Sequence, residues 1–369
     1  MALSLRGHVG PQRNTEPRLV SAGRTGTGRC LIETAPTHDK GGVHGPGASL
    51  PAIDPTTGSF VVIGMGRVGS SLALALRARG ARLAGYVNRT PQGRSRAEAL
   101  LGTRAASSIH DLVSRSPEIY IIAVPDDVLL EVAEELGPRL RPAIAAGHPT
   151  PLVLHTSGAK SVHVLRTCEE AGAVTLAFHP LQTFPDSGSG WTRFADAAVA
   201  ITPASGGDDS PAALFGFALA RSLDARPFLL PDENRTLYHA AATVACNYLV
   251  TLERVAERLF IRAGLAEEEA LSLFFPLLTS TLQNLRARGP AAALTGPLSR
   301  GDTGTIARHL QVLAAEEPTL VPLYQVLGLA TLDLVRDRGE LDPSVIAELA
   351  DLLSPITTPI GHRSGQQGA

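Results

Sequence analysis

Between Tyr238 and Tyr248 the chain reads Tyr-His-Ala-Ala-Ala-Thr-Val-Ala-Cys-Asn-Tyr, which sets His239, Thr243 and Asn247 four residues apart. On a helix of 3.6 residues per turn, each four-residue step rotates by only about 40°, so the three side chains form one polar stripe. The alanines between them are small enough for a ligand or another backbone to come close. An imidazole, with an ordinary pKa of about 6.5, can protonate a nascent alkoxide at neutral pH. An asparagine can donate to a carbonyl or a carboxylate. Thr243 stands between the two as a candidate substrate contact. The same stripe would also serve as a polar network between packed helices.

Upstream, Ser59-Phe-Val-Val-Ile-Gly64-Met65-Gly66-Arg67-Val68-Gly69 is an apolar strand running into Gly-x-Gly-x-x-Gly. Gly64 suits the tight strand-to-helix turn, Gly66 lets backbone approach a pyrophosphate, and Gly69 allows close helix–strand packing. The helix that follows offers free N–H groups to an anion. A second strand ends in Asn88-Arg89-Thr90, where an NAD site usually has an acidic ribose ligand. A neutral amide, a guanidinium and a hydroxyl suit a 2′-phosphate instead, so the expected cofactor is NADP(H).

Three more strand tips and one loop carry polar groups. Val124-Pro125 closes an apolar strand, with Asp126 placed to cap the next helix, and its backbone would lie beside the cofactor's ribose and nicotinamide. His155-Thr156-Ser157-Gly158 follows Leu152–Leu154 and suits hydrogen bonding to a carboxamide or small acid, or an ordinary turn with Ser157 as cap. His179 precedes Pro180, which favours extended backbone with the imidazole facing a cleft or satisfied in the structure. Thr295, Arg300 and Asp302 lie in a polar loop before a helix. Arg300 is suited to a substrate carboxylate, with Asp302 orienting it or capping the helix.

The elements that must position these groups follow from pattern. Residues 59–230 alternate strands (59–63, 82–87, 118–124, 151–155, 173–178, 196–202, 226–230) with helices (67–79, 93–101, 126–136, 159–171, 211–223). This predicts an α/β fold: a Rossmann-type, mostly parallel sheet with chemistry at the carboxyl ends of its strands. After Pro231, with Asp232 as N-cap, the periods are helical only: a long helix to about Ala263 stopped by Gly264, then 267–288, 303–316, 318–338 and 343–353. The expected domains are a disordered tail (1–57), an NADP-binding domain (58–230), an all-helical C-terminal domain for substrate binding and dimerisation (231–355) and a flexible tail (356–369).

A formal charge of −2 and no basic stripe argue against nucleic acid. No uncharged apolar run of about 18 residues is present, so no membrane span is expected. Cys30, Cys168 and Cys246 have neither metal spacing nor a disulfide framework, which fits a reducing, cytoplasmic setting and no metal. Segments such as Leu271–Leu278 and Leu320–Leu334 are more apolar than one face of a surface helix needs, which predicts a homodimer.

Taken together, Gly64–Gly69, His155–Ala159, His179–Phe184, Tyr238–Leu249, Thr295–Pro297 and Arg300–Asp302 resemble a bacterial family over about residues 58–340. That family joins a Rossmann-like domain to a helical domain of unassigned function. The layout is also similar to the superfamily of 6-phosphogluconate dehydrogenases, pyrroline-5-carboxylate reductases and ketopantoate reductases. The His155–Gly158 tip resembles the turn at the nicotinamide in ketopantoate reductases. The resemblance places His239 at the position of a catalytic lysine and Asn247 at that of an asparagine; the helix itself has no lysine. It implies an NADPH-dependent reductase of a small 2-oxo acid, ketopantoate first, with His239 giving the proton, Asn247 positioning the carbonyl and Arg300 holding the carboxylate. His179 is a further candidate for the catalytic centre. A pyrroline-carboxylate-type imine reductase and a non-catalytic NADP(H)-binding redox sensor are the alternatives.

Overall fold

A computed structural model describes residues 53–186 and 188–355. Strands β1 (Ser59–Ile63), β2 (Arg82–Val87), β3 (Ile119–Ile122), β4 (Leu152–His155), β5 (Val174–Leu181), β6 (Ala198–Pro203) and β7 (Arg226–Leu229) form one sheet in the order β2-β1-β3-β4-β5-β6-β7. Only the β5–β6 pairing is antiparallel, so β6 and β7 run opposite to the other five strands. The chain steps from β1 out to β2 and then lays β3 on the other side of β1. A crevice therefore opens at the carboxyl ends of β1 and β3, where open α/β sheets bind ligands.

Helices α1 (Arg67–Ala78), α2 (Pro91–Leu101), α3 (Ile109–Val113), α4 (Leu129–Ala145), α5 (Arg166–Glu170) and α6 (Pro211–Ser222) connect the strands. They cover both faces, so the strands are apolar on both. Phe60 and Val62 of β1 pack in one core with Leu72, Phe178 and Phe215. Val61 and Ile63 point the other way, toward Tyr120, Leu136 and Val153.

Three helix expectations change. The short α3 was not foreseen. α4 starts later than residue 126 and runs on through Pro138 and Pro142 to Ala145. Its buried Leu129, Ala133, Leu136 and Leu140 hold it to the sheet despite the two missing donors. The expected helix 159–171 splits into a 3-10 turn (Val162–Leu165) and the short α5.

Beyond β7 a 3-10 turn (Asp232–Asn234) leads into α7 (Arg235–Ala242), a π-helical segment (Thr243–Tyr248) and α8 (Leu249–Arg262), ended by Gly264 at φ +105°. Asp232 is not the expected N-cap: its carboxylate accepts hydrogen bonds from Val162 N–H (2.8 Å) and Ser161 Oγ (2.5 Å) instead. Then come α9 (Glu267–Arg288), α10 (Pro290–Ala293), α11 (Thr303–Glu316), α12 (Val321–Arg338) and α13 (Pro343–Leu353); Ile306, Leu332, Leu349 and Leu353 form a core among the last three. No strand follows β7 among the described residues. Pro318–Arg338, with a mean hydropathy of 1.3, is long and apolar enough to cross a membrane by length and composition only, and it carries Asp333 and Arg336. Its Gly328, Leu332 and Val335 are buried in the structure.

Residues 1–52 and 356–369 of the expected tails lie outside the described residues. Residues 53–57 are folded, which corrects the boundary at 57. The Asp54 carbonyl accepts from Thr57 and Gly58 N–H, Pro55 is buried, and Ile53 packs on the sheet core.

Candidate functional site

The first site lies in the crevice beside β1. Gly64 has φ +97°, and its N–H donates to the Val87 carbonyl (2.9 Å). A Cβ there would lie 2.5 Å from the Ala123 carbonyl oxygen, so only glycine makes this turn. A Cβ on Gly69 would lie 2.1 Å from the Gly64 carbonyl oxygen, which fixes the helix against the strand. At Gly66 a Cβ would meet nothing within 4 Å: the backbone there is bare and open to a ligand. Gly64 and Gly69 thus make the expected turn and close packing, Gly66 leaves open space, and the cradle fits a dinucleotide pyrophosphate.

Gly64, Gly66, Asn88, Arg89, Thr90, Val124 and Pro125 all line one cavity of about 510 Å³ at this point. Thr90 caps α2 by accepting from Gly93 N–H (3.1 Å), and Arg89 stands exposed beside it. Ser108, Glu131 and Glu135 line the same cavity and were not foreseen. Met65 is buried, while Arg67 faces a separate groove with Arg96.

The second site brings together the helix stripe and a strand tip. His179, Tyr238, His239, Thr243, Cys246 and Asn247 line a cavity of about 530 Å³, with Gln182 and Thr183. The π-helical segment begins at Thr243. Its wider turn offsets the drift of an α-helical stripe, so Asn247 stays on the face of His239; such segments recur at functional sites. The rings of His179 and His239 have centroids 6.3 Å apart, and His179 Nδ1 lies 2.9 Å from the Tyr238 hydroxyl. Sequence pattern alone gives Tyr238 no role. Gly158, from the β4 tip, closes the gap: a Cβ there would lie 2.7 Å from His179 Nε2 and 2.7 Å from His239 Cδ2.

Burial, and then the nearby Arg235 charge, hold His179 down to about 4, so its imidazole is neutral near pH 7. Burial pushes Tyr238 up to about 12. Both groups are therefore neutral near pH 7, joined by one hydrogen bond.

Two expected groups are placed elsewhere. The His155 side chain is fully buried, with Nδ1 accepting from Ser157 N–H (3.2 Å), and it reaches neither cavity. Thr156 donates its N–H to the Ile122 carbonyl, the Ser157 hydroxyl accepts from Lys160 N–H (3.0 Å), and neither residue lines either cavity. Thr295, Arg300 and Asp302 also line neither cavity. Their loop is tied to α12 by Arg338, which donates to the Leu294 carbonyl (3.0 Å), and Gly301 sits against Val345 of α13. Asp302 caps α11 through Thr305 N–H (2.9 Å), and the Thr305 bonds hold its carboxyl below the usual carboxylate range. No group of three or more metal-ligating side chains occurs among the described residues.

Burial also lowers His155, to about 3. Both histidines stay neutral near pH 7 when folded but titrate at about 6.5 when unfolded. The unfolded chain then binds protons that the folded one refuses. Stability is expected to fall as pH drops from about 6.5 toward 4, by up to about 1.4 kcal/mol per histidine per pH unit. Urea midpoints between pH 7.5 and 4.5 check this. His155→Gln should flatten the slope, and an unchanged slope would contradict the burial argument.

Comparison with known proteins agrees with this architecture. Residues 44–180 match a Rossmann-like domain, and residues 204–331 match DUF2520, a domain of unknown function. The chain therefore joins a Rossmann-like domain to a DUF2520 domain. No curated protein compared with it matches by sequence. Among solved structures, it is similar to a Bacteroides fragilis protein provisionally designated an NADP oxidoreductase (23% identity, TM-score 0.57, covering 74% of this chain and 97% of that one). It is also similar to a Thermotoga maritima protein (20%, 0.54, 79% and 98%). A third is the 1-pyrroline-5-carboxylate reductase of Streptococcus pyogenes (14%, 0.51, 80% and 99%). These likenesses establish a shared fold.

Proposed function

We propose that the protein is a cytoplasmic NADP(H)-dependent reductase of a polar double bond, C=O or C=N, in a small carboxylate-bearing molecule. The observation that carries the reading is the convergence of His179, His239, Thr243 and Asn247 on one cavity at the carboxyl side of the sheet that also forms the glycine cradle. NADPH, when bound, supplies the hydride. His239 is exposed in the cavity and gives the proton. Asn247 and Thr243 hold the substrate oxygen or nitrogen and its carboxylate, while His179, fixed by Tyr238, orients the group beside His239.

A 2-oxo acid such as ketopantoate is the first substrate class, and a cyclic imine of pyrroline-carboxylate type is the second. The cavity lining has no arginine or lysine to grip a carboxylate as Arg300 was expected to, which bears equally on both classes. The imine gains support from the pyrroline-5-carboxylate reductase fold. NADPH oxidation by purified protein against 2-oxo acids and cyclic imines tests the proposal. Tight NADPH binding with no turnover on any of them would make the protein a redox sensor.

Arg89 selects NADP(H) in this reading. Arg89→Ala is expected to weaken NADPH by about 1–3 kcal/mol, the scale of a charged hydrogen bond, and to leave NADH unchanged. Calorimetric titration with both cofactors measures it, and equal losses for the two would refute the role.

A second copy of the chain is proposed to cover the helical domain. Leu237 (75% exposed), Val250 (69%) and Leu277 (64%) lie with Leu273, Phe275 and Val326 on α7, α8, α9 and α12. An apolar surface spread over four helices suits a stable self-association. Sedimentation at micromolar concentration should give a dimer; a monomer would exclude it.

A further inference from the structure

Arg235, the first residue of α7, is 1% exposed. Its guanidinium meets three acceptors from two directions. Nε donates to the Lys160 carbonyl (2.7 Å), Nη2 to the Ser157 carbonyl, and Nη1 to Thr202 Oγ1 (2.9 Å). Thr202 in turn donates to the Leu230 carbonyl (2.7 Å). Among the described residues, no carboxylate lies within 4 Å of this guanidinium. Asp232, three residues earlier, gives its two oxygens to Ser161 and Val162. Residues 157–162 are thus fastened at both ends to the start of the long helix. Gly158, against which both cavity imidazoles rest, lies inside that fastened span.

A buried guanidinium is costly to desolvate and is retained where its geometry is used. A planar fork meets two carbonyls and a hydroxyl spread along its edge, whereas a lysine ammonium offers its three donors from a single point on a flexible stem.

We propose that Arg235 is the positioning residue of the candidate active centre: its fork holds the 157–160 turn at the depth where Gly158 separates the His179 and His239 rings. It touches no group in the cavity itself. Its charge bears on the site too. The groups that face it are His155, His179, Tyr238, Asp232 and Asp126, and it lowers both histidines. The proposal rests on the reductase reading only for its kinetic arm.

The test compares wild type, Arg235→Lys, Arg235→Met and Asp232→Asn, each as the full chain. Ring ¹⁵N spectra of the apo protein follow His179 and His239 across pH. In Arg235→Lys, which keeps the charge but loses the fork, the two ring signals should shift or broaden while the His179 titration stays near its wild-type position. In Arg235→Met the His179 titration should also move up, toward the ordinary value. If Arg235→Met does not fold, Arg235→Lys and Asp232→Asn carry the comparison. In the kinetic arm Arg235→Lys should lower kcat by about 10–100-fold, on the scale of a misplaced catalytic group, with the NADPH Kd within about 3-fold of wild type. Ring spectra of folded Arg235→Lys that superimpose on wild type would overturn the proposal. Altered spectra together with a wild type inactive on every substrate would uphold it and remove the reductase reading alone.

Discussion

His239→Ala is expected to lower turnover by roughly 10²–10⁴-fold, the usual contribution of a positioned general acid, with NADPH affinity nearly unchanged. His239 lies in the second cavity, whereas the glycine cradle and Arg89 lie in the first. Loss of the imidazole therefore removes a proton donor without removing a cofactor contact. His179 is a poor substitute. It is neutral near pH 7, and its Nδ1 is already engaged with the Tyr238 hydroxyl. Steady-state rates and cofactor titration on the same preparation decide the matter. Turnover that survives the change would make His239 structural, move the proton source to solvent or His179, and strengthen the imine reading, since an imine needs less help from a donor than a ketone.

The glycine cradle was legible because each glycine's task is local: a turn, a bare backbone and a tight packing contact lie within six residues. The stripe was legible from spacing alone. That it is drawn straight by a π-helical segment was not, because Thr243–Tyr248 carries no compositional mark of a wider turn. Arg235 escaped notice for a different reason. A basic residue near a helix start reads as solvated, and its acceptors at Ser157, Lys160 and Thr202 are far away in sequence. His155 illustrates the opposite error. It opens a polar run at a strand tip, yet β4 still pairs it in register with Ile122 and Ala177, which turns the ring into the interior. Arg300 looked like a carboxylate ligand because it is basic in a polar loop. Packing of that loop onto α12 and α13 depends on contacts with Arg338 and Val345 that local pattern does not reveal.

Gly158→Ala is expected to lower turnover by about 10²-fold, the scale of a displacement of about 1 Å in a catalytic group, while the protein still folds and binds NADPH. The backbone at Gly158 lies outside the left-handed region, so alanine meets no conformational strain there. The obstacle is space. The new methyl would lie 2.7 Å from His179 Nε2, 2.9 Å from His179 Cε1 and 2.7 Å from His239 Cδ2, and neither ring can keep its place. His239 is exposed and free to swing away; His179 is held by Tyr238, so the pair separates rather than moving together. Gly66→Ala provides the contrast. Its methyl meets no protein atom within 4 Å and fills only the bare backbone of the cradle, so it should weaken NADPH and leave the imidazoles as they were. Cofactor titration and single-turnover rates on the two variants separate the sites. If Gly158→Ala keeps full turnover, the His179–His239 pair does not perform the chemistry assigned to it, whatever the cofactor cradle binds.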